Sequence, residues 1–296
     1  MILNSIETAY PERLKKACEW LQKADFVFIG AGAGLTTAAG LQYDGPAFKK
    51  AFADMINRYA FTDLYTSSFY PFATEEERWA YWSRHVLYAR FDPPALALYQ
   101  QLLELVRGKD YFVITTNVDG QFRKAGFDTE RLFEVQGDYA YIQGVTGADG
   151  HTYYAEDLFR RMVAEQKDCA IPTALVPSLR QFNSDAPKDE AMDIHVRKDV
   201  YFVEDEQWNH MQEQYESFLQ RAMDGQSHIA LLELGVGFNT PSIIRFPFER
   251  LAARLPRTAL IRVNKDYPQF QLSGIEHFAG FHENTEQLIS NILSNL

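Results

Sequence analysis

The chain is poor in cysteine: Cys18 and Cys169 are its only thiols in 296 residues. Two thiols cannot build a disulfide framework, and such sparing use suits a reducing cytoplasm. They also fall short of the thiolate count of common zinc sites. Adding His151, His195 and His210 does not help, because their spacings match no usual ligand pattern. These lone histidines read as surface or hydrogen-bonded residues, and no metal is expected. Positive charge is also in deficit, with 29 Lys and Arg against 40 Asp and Glu, a net −11. That balance argues against a surface for nucleic-acid phosphates. No stretch approaches the run of about twenty apolar residues that spans a bilayer. Met1 to Tyr10 has no basic segment leading into an apolar one. The expectation is a soluble cytoplasmic protein without nucleic-acid or membrane partners.

Two nucleotide-binding signatures are absent as well. There is no Gly-Lys-Ser/Thr, which excludes a P-loop. The glycines at 30, 32 and 34 are not spaced as G-x-G-x-x-G, and no strand ending in an acidic residue follows about twenty residues later. What is present is a chain 46% hydrophobic and 14% aromatic, long enough for one large domain or two intimately joined ones. No internal repeat or low-complexity segment interrupts it.

The organising stretch runs from Phe26 to Leu41. Phe26-Val27-Phe28-Ile29 reads as a strand buried on both faces. Gly30, Gly32 and Gly34 then alternate, and Thr36-Thr37-Ala38-Ala39 can open a helix. Strand, glycine turn and helix start together make an anion site, because backbone can approach closely and first-turn amides point at a phosphate. A tight turn in any α/β protein also calls for glycine, so the stretch fits both readings. A helix over Pro11 to Lys23 precedes it, and Asp44-Gly45-Pro46 marks a loop after it.

Ala47 to Leu105 is helical in period and dense in aromatics, from Phe48 to Trp82, which read as a subdomain core. Pro93-Pro94-Ala95-Leu96 is expected to open a helix ending near Val106, with Gly108 as its cap. Tyr111 to Thr115 reads as a second buried strand, ending in Thr116-Asn117-Val118-Asp119-Gly120. Ligands gather beyond the carboxyl ends of such strands, although Asn and Asp also serve plain turns. Leu132-Phe133-Glu134-Val135-Gln136-Gly137 is a third short strand and turn. His228 to Leu234, Thr258 to Val263 and Ile275 to Gly280 supply three more, and Thr285 to Leu293 a closing helix.

Taken in order, these segments resemble the sirtuins. Gly32-Ala33-Gly34-Leu35-Thr36 with Ala39-Gly40-Leu41 is similar to the family's G-A-G-x-S-x-x-S-G-I opening. Thr115 to Gly126 is similar to T-Q-N-I-D-x-L-H-x-x-A-G, and Glu233 to Pro241 stands where sirtuins carry G-T-S-L-x-V-x-P. Val196 to Asp205 resembles the L-R-P-x-V-V-x-F-G-E segment that follows the sirtuin zinc ribbon. The resemblance implies an α/β fold, a Rossmann-like parallel sheet of about six strands with a smaller domain from two insertions. The sheet domain would take residues 1–41, 108–137 and 222–296, the helical module 42–107, and a degenerate zinc-ribbon-like module 138–221.

It further implies NAD as the cofactor. Gly32, Ala33, Gly34, Thr36 and Gly235 would face its phosphates, with Gly40, Tyr43, Asp44, Thr116, Val236, Gly237 and Asn239 completing the site. Asn264, with Lys265 beside it, would meet the adenosine ribose, and Asn117 and Asp119 the nicotinamide end. Three departures matter. The P-D-F-R closing loop is reduced to Tyr43 and Asp44, the zinc thiolates are missing, and Gln136 stands where the family's general-base histidine belongs. A carboxamide takes up no proton near neutral pH, so Gln136 can orient a ribose hydroxyl but not deprotonate it. Asn117, Gln136 and Asp119 are therefore the candidate catalytic residues.

The opening, the glutamine and the segment around Arg197 to Asp205 sharpen the resemblance to the macrodomain-linked branch of bacterial sirtuins. That branch implies mono-ADP-ribosyl transfer to a lipoylated, glycine-cleavage-H-like carrier protein, reversed by a macrodomain hydrolase. A deacylase using another base and a catalytically silent NAD sensor are the alternatives. One consequence is directly measurable. Protein purified without chelator or metal-affinity tag should contain well under one zinc per chain by elemental analysis, and stoichiometric zinc would contradict the reading.

Overall fold

The computed structural model describes residues 8–186, 188–223 and 226–296. Six parallel strands form the central sheet in the order β3-β2-β1-β7-β8-β9. They are β1 (Phe26–Ala31), β2 (Asp110–Thr115), β3 (Leu132–Glu134), β7 (Ile229–Leu234), β8 (Thr258–Val263) and β9 (His277–Phe281). Between β3 and β7 the chain builds a three-stranded antiparallel sheet from β4 (Gly137–Gly144), β5 (Thr152–Tyr154) and β6 (Met192–Val196). The apolar runs read from the sequence are therefore inner strands: β7 and β8 are buried at every position, and β1 and β2 at all but the first. Such strands have no solvent face, which is why they show no alternation.

Helices cover both faces of the parallel sheet. On one face lie α1 (Tyr10–Lys23), α2 (Ala33–Ala38), then, beyond the helical module, α7 (Ala97–Leu105), α8 (Gln121–Ala125) and α12 (Thr285–Leu293). On the other lie α10 (Glu206–Ala222) and α11 (Arg245–Arg254), where Phe218 and Phe248 pack edge-on against Phe28. The intervening helical module holds α3 (Gly45–Ala51), α4 (Ala53–Tyr59), α5 (Leu64–Ser67) and α6 (Glu75–Val86), while α9 (Glu156–Glu165) packs against α6. Trp79, Tyr81, Phe48 and Phe52 fill that module's core, together with Phe159 and Met162 of α9. The aromatic density is thus a core, as its helical spacing suggests.

Two local readings need correction. Helix α7 begins at Ala97 and not at Pro93, because Leu96 is extended and its amide donates to Gln121 Oε1 at 3.0 Å. The chain before the prolines instead ends α6 in a π-helical turn, Leu87–Phe91. The second correction concerns the helix after β1, which starts at Ala33, immediately after Gly32, ahead of the threonines that were expected to open it.

The loops after β1 and β7 meet backbone to backbone. A Cβ on Gly34 would lie 2.8 Å from Gly235 Cα, and one on Gly235 would lie 2.2 Å from the Leu35 nitrogen. Gly235 also has φ +62°, a left-handed conformation that costs other L-residues roughly 1–2 kcal/mol. The Gly34 amide donates to the Gly235 carbonyl at 3.0 Å, which clips the two loops together. Gly34→Val should therefore force the loops apart and lower the melting temperature by at least a few degrees, at roughly 2–4 °C per kcal/mol for a chain of this size class. An unchanged melting curve would show that the contact is not as tight as this geometry requires.

Candidate active site

Beyond the carboxyl ends of the parallel strands, a cleft of about 720 Å³ separates the sheet from the helical and antiparallel modules. Its sheet-side wall includes Gly32, Ala33, Gly34, Thr116 and Gln136, then Gly235, Val236, Gly237, Asn239 and Asn264. Ten of the positions expected from the sequence are thus brought onto one surface. The facing wall carries Tyr65, Phe69, Trp82 and Tyr139 together with Arg78, Arg197 and Lys198.

The amides are used differently from expectation. Gly32, just before α2, donates to the Leu234 carbonyl and Gly34, in its first turn, to Gly235, both at 3.0 Å, so these two amides hold loops rather than a phosphate. The amides of Val236 and Gly237 make no hydrogen bond to protein among the described residues, and open space lies above Gly237. Donors open to the cleft therefore lie on the loop after β7. Asn264 supports that loop. Its Nδ2 donates to the Val236 carbonyl at 2.8 Å, and its Oδ1 accepts from the amides of Asp266 and Tyr267. Below, Arg262 joins Glu233 and Glu249 at 2.7 Å each, while Arg245 donates to the carbonyls of Tyr267 and Gln269. These buried ion pairs fix the far end of the cleft.

Thr36, Asn117 and Asp119 lie one layer beneath the cleft floor, at 0%, 7% and 3% exposure. Thr36 was expected to face phosphate, and instead it is the hub of a buried network. Its hydroxyl donates to Asp119 Oδ2 at 2.6 Å and receives Asn117 Nδ2 at 3.1 Å. Asn117 Nδ2 also meets the Gly32 carbonyl at 3.2 Å, which ties β2 to the glycine turn. Burial pushes the Asp119 carboxyl above the ordinary range, against hydrogen bonds from Thr36 and the Gln121 amide that pull it down.

Gln136 is half-buried and lines the cleft. Its carbonyl accepts from the Arg197 amide at 3.0 Å, while its side chain makes no protein hydrogen bond among those described. Two ion pairs brace the turn that carries it. Arg123 meets Glu134 at 2.6 Å, and Arg90 grips Asp138 with two bonds at 2.7 and 2.9 Å. The remaining expected residues stand apart. Gly40 lines a separate groove beside Gln42 and Tyr88, Asp44 precedes α3 on the surface, and Lys265 is exposed. Tyr43 is half-buried under the helical module, and burial and the Asp119 charge raise its hydroxyl well above its usual pKa.

Several site residues escaped sequence reasoning. Asp266 and Tyr267 line the far end of the cleft, and an acidic residue soon after a strand was a usable signal. Tyr139 and Trp82 had none, since aromatics at core-like spacing read as packing. Tyr99 was hidden in the apolar stripe of α7.

No protein-family model matches the chain. It is 32% identical over 295 residues to a protein ADP-ribosyltransferase of Staphylococcus aureus, covering 99% of this chain and 90% of that one. It is 30% identical over 282 residues to a probable bifunctional ADP-ribose hydrolase/ADP-ribosyltransferase of Fusarium oxysporum f. sp. cubense, covering 88% of this chain but only 44% of the relative. Among solved structures, a Sir2 homologue with 2′-O-acetyl ADP ribose superposes with a TM-score of 0.57 at 16% identity, covering 97% of this chain and 96% of that one. A Sir2 homologue–NAD complex does so with a TM-score of 0.55 at 13% identity, over 96% and 93%. At such identities the structures establish the sirtuin fold.

The braces around Gln136 have a pH signature. Burial and the neighbouring Asp138 charge push Glu134 up to about 7 from the ordinary 4.5, against Arg123 and Arg90. Between those values the folded protein keeps a proton that the unfolded chain has released, so Glu134 makes stability fall as pH rises from about 4.5 to 7. Glu134→Gln should flatten that slope in denaturant titrations across the window. An identical slope in the variant would contradict the assignment. By sequence over nearly its whole length the chain belongs to the protein ADP-ribosyltransferases, and it carries the sirtuin fold.

Proposed function

We propose that this cleft transfers a single ADP-ribosyl group from NAD to a side chain of a lipoylated, H-like carrier protein, a mark that a macrodomain hydrolase removes. The observation that carries the transferase reading is Gln136, a non-basic side chain free in the cleft, standing in the segment that resembles the one where deacylases carry their histidine. The carrier and the hydrolase rest on the resemblance to macrodomain-linked sirtuins, and the fungal relative's name joins a hydrolase to a transferase.

The residues present fit NAD. Unpaired amides at Val236 and Gly237 suit a diphosphate, and Asp266 and Asn264 stand at the end suited to the adenosine ribose. Bound there, NAD supplies a glycosidic bond whose cleavage develops positive charge on the ribose. In this reading the oxygen of Asn117 and the carboxyl of Asp119 act on that charge from the buried layer beneath the cleft, where fixed dipoles act strongly. Gln136 orients a ribose hydroxyl by hydrogen bonding and leaves its proton in place.

The two buried histidines of the smaller domain do not restore a base. His85 is fully enclosed, lowered to about 3 by burial, and bonded through Nδ1 to Tyr81. His195 is buried against the Val203 carbonyl. Gln136→Ala should keep NAD affinity by calorimetry, since the diphosphate and adenosine contacts lie elsewhere. Its rate of labelled ADP-ribose transfer to the carrier should fall by as much as about a hundredfold, the cost of misplacing reacting atoms by about an ångström. Equal labelling by the two proteins would remove Gln136 from the mechanism.

A further inference from the structure

We propose that Tyr99 is a positioning residue for the transfer, acting through Asn117; this rests on the functional reading above. Tyr99 sits on α7, fully buried, with its ring edge-on to Phe122 at 4.9 Å. Its hydroxyl lies 2.8 Å from Thr36 Oγ1 and 3.3 Å from Asn117 Nδ2.

The direction of each hydrogen bond follows from proton counting. Thr36 has one hydroxyl proton, and it goes to the Asp119 carboxylate, which accepts only. Thr36 Oγ1 is therefore an acceptor toward Tyr99, so the phenol donates. Burial keeps that phenol protonated, its pKa well above the usual value. The Tyr99 oxygen is then an acceptor toward Asn117. Asn117 Nδ2 accordingly faces three acceptors: the Gly32 carbonyl, Thr36 Oγ1 and Tyr99 Oη.

An amide flip would set Asn117 Oδ1 against the Gly32 carbonyl, oxygen to oxygen. The network thus holds Nδ2 inward and leaves Oδ1 with no protein partner among the described hydrogen bonds. That oxygen is the end of the dipole able to face developing positive charge. Two of its three restraints pass through Tyr99, one as the hydroxyl itself and one as the donor that orients Thr36.

Tyr99→Phe preserves the packing and removes only the hydroxyl. In ¹⁵N-edited spectra of the ligand-free protein, the Asn117 side-chain amide protons should exchange with solvent slowly in the wild type and at least tenfold faster in the variant. In steady-state transfer assays kcat should fall about tenfold, with KM for NAD within about twofold. Introduced into an Asn117→Ala background, Tyr99→Phe should cost no further activity. Unchanged amide exchange, unchanged kcat, or an equal loss in the Asn117→Ala background would each overturn the proposal. A wild type that transfers no ADP-ribose would refute the functional reading instead, while the spectra would still judge the placement of Asn117.

Discussion

Backbone packed directly on backbone at Gly34 and Gly235 sets the geometry of the whole carboxyl edge of the sheet. A side chain at either position would hold the loops after β1 and β7 apart. With both glycines present, the Gly34 amide closes on the Gly235 carbonyl, and α2 starts early enough to carry Thr36 beneath the floor. The cleft depends on this closure, since the Gly235 loop forms part of its wall and Thr36, Asn117 and Asp119 lie beneath its floor. Removing polar groups from water is costly, and this layer offsets the cost by pairing them with one another across α2, the loop after β2 and α7.

The two ends of the cleft are stiffened by different means. At the far end the interlinked side chains of Glu233, Arg262, Glu249 and Arg245 are almost wholly buried and hold up the loop from Asn264 to Gln271. At the Gln136 end Arg90 and Arg123 clamp the two acidic side chains that flank Gln136 in sequence. Breaking a buried pair by deleting one partner strands the other charge, so these clusters resist piecemeal change. Between the rigid ends, the opposite wall of the cleft carries the exposed rings of Tyr65 and Phe69, at 59% and 70% exposure.

Much of this was legible in the sequence. Strands β1, β2, β7 and β8 announce themselves as unbroken apolar runs, because strands covered on both faces need no polar side. The glycine turn, the Asn-x-Asp segment and Gln136 were recognisable because chemistry restricts which residues stand at strand ends. What stayed hidden was decided by contacts distant in the chain. Whether a glycine amide serves a phosphate or a neighbouring loop depends on where Gly235 falls, some 200 residues away. Thr36 looks like a phosphate ligand until Asp119 is seen beside it. Tyr99 looks like core until its hydroxyl is followed to Thr36. A start for α7 at Pro93 was overridden by the bond from the Leu96 amide to Gln121.

The same features decide the chemistry. On the proposed reading NAD lies in the cleft above the buried Asn117 and Asp119, and Gln136, which lines that cleft, takes no proton from a ribose hydroxyl. Acyl migration needs that proton removed, whereas capture of the ribosyl group by a protein nucleophile does not need it removed by Gln136. The central claim is therefore one of product. Incubating the protein with NAD, a lipoylated carrier protein and an acetylated peptide together, and reading products by mass spectrometry, tests it most directly. The account predicts carrier protein heavier by one ADP-ribosyl group and an intact acetylated peptide. O-acyl-ADP-ribose with deacetylated peptide would contradict it.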